Sequence, residues 1–151
     1  MIDSIVSSLG SQVGGISGFR GATYCAVINT TIDGYSEVGG LVGRLDSYSS
    51  TISNSYTNAT VTATAHSAGG IAGYIHNEFD TSVRSSIVQT SGVFGSNVSG
   101  NSNVGGLIGQ VDIAVDTSKY YSNYVHANIS GEEESISLGI GSCLLYTSPS
   151  P

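Results

Sequence analysis

The residues able to do chemistry are few and scattered. His66, His76 and His126 stand far apart, without the close spacing that metal ligands show. Glu132, Glu133 and Glu134 follow Gly131 and suggest a solvated turn rather than a calcium site. Asp112 and Asp116 flank Ile113-Ala114-Val115 as surface groups. A polysaccharide-cleaving enzyme would need paired carboxylates on one face. Asp46 and Asp80, seven and eleven residues after Gly39 and Gly69, are out of register for that. No G-x-S-x-G, H-E-x-x-H, P-loop or dinucleotide fingerprint occurs. The chain is therefore expected to be no enzyme and to use neither cofactor nor metal. Thr60, Thr62 and Thr64 alternate with Val61, Ala63 and Ala65 in the manner of an ice-binding row, but the other repeats lack it. Cys25 takes the place held by Asn54 and Ser122 elsewhere and is expected to be a buried, inert thiol. Asn29, Asn58, Asn97 and Asn128 each begin an Asn-x-Ser/Thr acceptor sequence for glycosylation, as a secreted protein would carry.

Composition narrows the field of scaffolds. Gly supplies 21 of 151 residues, Pro only 2, Trp none, and charged residues 10%. A collagen would need far more Pro and a strict period, and helical bundles are rich in Ala, Glu, Lys and Leu. With 39% hydrophobic residues the chain can build a core. The net charge of −7, with only Arg20, Arg44, Arg84 and Lys119 as bases, argues against nucleic acid or anionic membranes as partners. No apolar run is long enough for a membrane span.

The chain repeats itself, which decides its architecture. Val13-Gly14-Gly15-Ile16-Ser17-Gly18 recurs as Val38-Gly39-Gly40-Leu41-Val42-Gly43. Two more copies are Ala68-Gly69-Gly70-Ile71-Ala72-Gly73 and Val104-Gly105-Gly106-Leu107-Ile108-Gly109, with a weaker start near Ser137. The copies begin 25, 30 and 36 residues apart. A second motif follows each: Cys25-Ala26-Val27, Asn54-Ser55-Tyr56, Ser85-Ser86-Ile87 and Ser122-Asn123-Tyr124.

Within the glycine motif, position 4 is always Ile or Leu: Ile16, Leu41, Ile71 and Leu107. Position 6 is always Gly, position 8 is apolar in three copies of four, and positions 5 and 7 vary freely. That is the period of a strand with positions 4, 6 and 8 inward. Repeats of this length with short strands suit an all-β fold, a parallel β-helix-like solenoid of about four coils. Position 4 then forms a buried column. The paired glycines would provide a corner with positive φ or a close backbone approach. Variable lengths at 46–50, 76–81 and 94–103 are expected to be loops.

These motifs resemble the GLUG repeat family, best in Gly40-Leu41-Val42-Gly43 and Gly106-Leu107-Ile108-Gly109. Gly15-Ile16-Ser17-Gly18 and Gly70-Ile71-Ala72-Gly73 depart from it by Leu to Ile. The resemblance implies a β-solenoid from bacterial surface adhesins, protist surface proteins or regions beside immunoglobulin-cleaving metallopeptidases. It carries no catalytic residues. Residues 13–142 are then the repeats and 1–12 an incomplete first coil or cap. Cys143 to Pro151 resembles a translated sequencing-adapter string, so 143–151 is expected to be a non-native tail that pairs with no strand. The N-terminus has no signal-peptide pattern.

The expectation is a structural or adhesive piece of a larger extracellular or cell-surface protein. Its partners would be an unidentified protein or glycan and further repeats of the same chain.

Overall fold

A computed structural model describes residues 1–46, 51–77, 87–89, 91–113, 119–131, 136–137 and 140–145. Asp80, Asp116, Glu132, Glu133 and Glu134, and most of the expected loops at 46–50 and 76–81, lie outside the described residues. The described residues form strands and turns and no helix.

The first circuit contains β1 (Ile5–Ser7), β2 (Val13–Gly14), β3 (Ser17–Phe19) and β4 (Ala22–Thr23). The second contains β5 (Ala26–Gly39), β6 (Val42–Asp46) and β7 (Thr51–Ser53). The third repeats this with β8 (Tyr56–Gly69), β9 (Ala72–Asn77) and β10 (Ile87–Gln89). The fourth has β11 (Gly92–Gly105), β12 (Ile108–Ile113) and β13 (Lys119–Tyr121). The last has β14 (Tyr124–Gly131), β15 (Ile136–Ser137) and β16 (Ile140–Leu145).

Equivalent strands of successive circuits pair in parallel, giving three sheets: β1/β2-β5-β8-β11-β14/β15, β3-β6-β9-β12-β16 and β4-β7-β10-β13. The described residues thus form a three-sided β-solenoid, five layers deep on two sides and four on the third. The segment 94–103, expected as a loop, lies inside β11, which slips by one residue against β8 between Val93 and Asn97 and returns to register between Gly100 and Ser102. Cys143 to Leu145 pairs with Val111 to Ile113, so at least this part of the expected tail joins a sheet. The last ladder aligns Ile136 with Val104, which starts the fifth copy one residue earlier than its glycines suggest.

Columns of like side chains fill the interior. Val27, Thr57 and Val93 share one register, as do Ile32, Val61 and Val98, and Ile52 and Val88. Leu45, Ile75 and Val111 form another, and all of these are fully or almost fully buried. Burying each such aliphatic side chain stabilises the fold by ~1.5–3 kcal/mol. At position 4, Leu41, Ile71 and Leu107 are buried, and the backbone N–H groups of Leu41 and Ile71 donate to the carbonyls of Ile71 and Leu107 in the next layer. Ile16 donates to Leu41 in the same way but is 41% exposed, against the expectation of a uniformly buried column. It belongs to the end layer, with a neighbour on one side only.

Position 5 departs from strict alternation, since Val42, Ala72 and Ile108 are fully buried. Polar side chains from the preceding corner close over this column. Glu37 meets Arg44 at 3.6 Å, and Ser67 and Asn103 both donate to Gln110 Oε1, at 2.8 and 3.1 Å.

The paired glycines are needed for close approach, not for unusual backbone angles. Positive φ falls instead on the residue before each motif: Gln12, Glu37, Ser67 and Asn103. A Cβ on Gly14, Gly39 or Gly69 would stand 2.6, 2.7 and 2.7 Å from the backbone nitrogen of Gly43, Gly73 and Gly109, respectively. The first glycine of one coil therefore faces the last glycine of the next, backbone against backbone. The middle glycine faces its own counterpart: a Cβ on Gly15 would lie 2.5 Å from the Gly40 carbonyl oxygen, and those on Gly40 and Gly70 closer still to Gly70 and Gly106. Gly18 faces the Gln12 carbonyl, and Gly105 and Gly106 are buried.

Candidate functional site

The corner entering the first sheet explains the second motif. Tyr24, Asn54 and Ser122 take positive φ, and the next residue in each coil is small and polar. Cys25 N–H donates to Ser55 Oγ at 3.0 Å, and Ser55 Oγ donates to the Ser53 carbonyl at 2.8 Å. Ser55 N–H donates to Ser91 Oγ at 3.4 Å, and Ser91 N–H to Asn123 Oδ1 at 3.1 Å. Ser91 and Asn123 side chains donate back to the carbonyls of Gln89 and Val88. Cys25 thus stands level with Ser55 and Asn123, one residue away from the expected match to Asn54 and Ser122. It is half-buried rather than buried, with its thiol donating to the Thr23 carbonyl at 3.3 Å.

One residue further along lies an aromatic ladder. Ala26, Tyr56, Gly92 and Tyr124 share a register. The gap at Gly92 is filled by Phe94, whose ring lies where a Gly92 Cβ would meet it at 2.5 Å. A turn at Gly95, with φ +61°, follows, and Asn58 Nδ2 donates to the Phe94 carbonyl at 2.8 Å. Phe94 consequently stacks on Tyr124 at 5.0 Å and 27°, and meets Tyr56 edge-on at 6.4 Å and 81°. All three rings are 42–55% exposed. They border an open groove of about 410 Å³ whose other lining residues are Asn54, Ser55, Ser91, Gly92 and Ser122. It runs across three coils and carries no charged side chain.

A polar strip crosses the second sheet. Arg44, Tyr74 and Gln110 share one register, and Asp46, His76 and Asp112 the register two residues on. Tyr74 donates to Asp112 Oδ2 at 2.6 Å and stands 3.1 Å from His76 Nδ1, with the two rings stacked at 5.7 Å. Arg44 lies over the Tyr74 ring at 5.1 Å, and Gln110 donates to Asp112 Oδ1 at 3.2 Å. Burial raises the Tyr74 phenol above its ordinary pKa, and the Asp112 carboxylate, as acceptor and as a like charge to a phenolate, raises it further. This strip secures neighbouring coils to one another. Its signal in the sequence lay at positions 7 and 9 of the motif, which look unrelated until stacked.

His66 and His126 are exposed on the first sheet, remote in register from His76. Among the described residues no three His, Cys, Asp or Glu side chains gather in a way that could hold a metal. The sequon asparagines lie along the first sheet: Asn29, Asn97 and Asn128 are exposed and Asn58 is half-buried. Asn128 Nδ2 donates to Asn97 Oδ1 at 3.0 Å, a rung between adjacent coils. Thr60, Thr62 and Thr64 share this face, with Thr60 aligned to Thr31 and Asn97. No described helix is long and apolar enough to cross a membrane.

Residues 34–62 match the family model described as the GLUG motif. The match is one circuit of the solenoid, because Gly34 pairs with Ala63 in the next layer. No curated protein and no solved structure matches the chain.

Proposed function

We propose that this chain, which carries the GLUG motif in a stacked β-solenoid, is a non-catalytic structural and adhesive segment of a larger cell-surface or secreted protein. The observation that carries this reading is the parallel ladder on three sides, joined by side-chain rungs at its corners and faces. Such a stack is stiff along its axis and presents the same positions at regular intervals of ~4.8 Å. The chemistry on its surface is the chemistry of contact: exposed aromatics, amides and hydroxyls, while on the second sheet Arg44 pairs with Glu37 and Tyr74 bonds Asp112.

Beads coated with the chain should adhere under flow to cells bearing surface glycans and protein, while the chain in solution releases no reducing ends from polysaccharides. Beads that never adhere, or measurable polysaccharide cleavage that copurifies with the chain, would overturn this reading. An accessory repeat region beside a peptidase would share this geometry, and cleavage of an attached substrate by the larger protein would mark it.

A further inference from the structure

We infer that the groove along Tyr56, Phe94 and Tyr124 is a binding site for a neutral, linear oligosaccharide lying along the solenoid axis. The inference rests on the adhesive reading above and gives it a ligand class. Beside the aromatic rings the groove is lined by Asn54 and Ser122, which are exposed, and by Ser55 and Ser91, whose hydroxyls are taken up in the corner ladder. Sugar rings carry the matching division: apolar C–H faces that pack on aromatic carbon, and hydroxyls that exchange hydrogen bonds with amides and alcohols.

The aromatic wall is built rather than incidental. Tyr56 and Tyr124 occupy the same register two layers apart, and the layer between them supplies Gly92. That glycine leaves room for Phe94 to fold back from two residues downstream, so the ladder is continuous at 6.4 and 5.0 Å. The three rings form one contiguous exposed aromatic patch, each in contact with the next. Because the wall repeats with the coils, its partner is a chain with repeating units rather than a single compact molecule.

Charge selects the class further. None of the groove's residues bears a formal charge, and the whole chain carries −7. A uronic-acid or sulfated polymer would approach against that field and find no Arg or Lys in the groove. A neutral saccharide meets no such opposition.

The test is isothermal titration of the full chain with cellohexaose, chitohexaose and maltohexaose, and with oligogalacturonate as the anionic comparison. At least one neutral hexasaccharide should bind. Phe94→Ala should weaken it by about tenfold or more, a loss on the scale of one aromatic contact and its buried area. Tyr35→Ala, which removes an exposed ring outside the groove, should leave binding unchanged. Circular dichroism of each variant should match the parent, since Phe94 is 46% exposed.

Binding of oligogalacturonate alone, no binding of any neutral probe, or equal affinity in the folded Phe94→Ala variant would overturn the proposal. If parent and Phe94→Ala beads adhere equally to cells, the adhesive reading stands and the groove is not its ligand site. If neither adheres while a hexasaccharide binds in a Phe94-dependent way, the groove stands and the adhesive reading falls.

Discussion

Replacing Gly40 by Ala tests what the glycine motif is for. Gly40 lies outside the positive-φ region, so its backbone angles alone would accept a side chain. Its surroundings would not: the added Cβ would stand 2.7 Å from Thr57 Oγ1 and 3.1 Å from the Gly70 carbonyl carbon, and nearer still to the Gly70 carbonyl oxygen. That oxygen belongs to the next coil, whose own Gly70 N–H is bonded to Gly105 one layer further. The obstacle is backbone held in a ladder, so relief requires moving coils apart rather than rotating a side chain. Overpacking of this kind costs ~1–3 kcal/mol. Gly10→Ala is the matched comparison, because its Cβ would meet nothing nearer than Ser8 Oγ at 3.5 Å and its φ is not positive. That change should stabilise by ~0.4–1 kcal/mol by restricting the unfolded chain. Thermal melts of the two variants should therefore move in opposite directions, by about 2–4 °C for each kcal/mol in a chain of this size. Equal shifts, or a Gly40→Ala variant as stable as its parent, would refute the close-approach account of the motif. A Gly40→Asn variant more stable than Gly40→Ala would point instead to a left-handed backbone at this position.

Three further outcomes are expected. Thr57 is fully buried, its hydroxyl has no hydrogen-bond partner among the described residues, and Val27 and Val93 flank it in register. Thr57→Val should accordingly raise the urea midpoint, by ~1 kcal/mol in stability, since an unsatisfied buried hydroxyl is removed. Ser55→Ala deletes both an acceptor for Cys25 N–H and a donor to Ser53, and should cost ~1–2 kcal/mol by urea denaturation, whereas Ser55→Cys, repeating what Cys25 does one coil earlier, should cost less. The folded chain raises the Tyr74 phenol, so its stabilisation is complete below the ordinary value of ~10 and is lost as pH climbs through the raised value. Urea midpoints measured from about pH 9 to about 11 should fall more steeply for the parent than for Tyr74→Phe, and parallel slopes would count against a phenol raised by burial and Asp112.

The solenoid was legible because its most regular positions are also its most buried. Leu41, Ile71 and Leu107, and Leu45, Ile75 and Val111, are spaced alike within each copy and fill the same columns. The same regularity misled where the cause was not visible in one dimension. Gly-Gly suggests a positive-φ corner, but Glu37 and Ser67 take that conformation and the glycines admit neighbouring backbone.

Cys25 aligns along the sequence with Asn54 and Ser122 but lies level with Ser55 and Asn123, because coils differ in length and only the ladder fixes register. The aromatic groove was hidden for a related reason: Phe94 completes a column that begins at Gly92, two residues earlier, by folding back across it. Arg44, Tyr74 and Gln110 look like free variation along the sequence, and become a bonded strip only when three coils are superposed.

The offsets between layers have a mechanical consequence. Successive ladder partners are 25, 30, 36 and 32 residues apart, from Gly14 to Gly39, Gly69, Gly105 and Ser137. Folded, each circuit occupies ~4.8 Å of the axis. Peeled off under tension, it releases about 80–130 Å of extended chain. Because each strand is held to its neighbour by a ladder loaded at one end, the bonds yield in sequence rather than together. A pull that exceeds the strength of one layer is absorbed as a stepwise lengthening of more than tenfold in that layer while the others keep their shape.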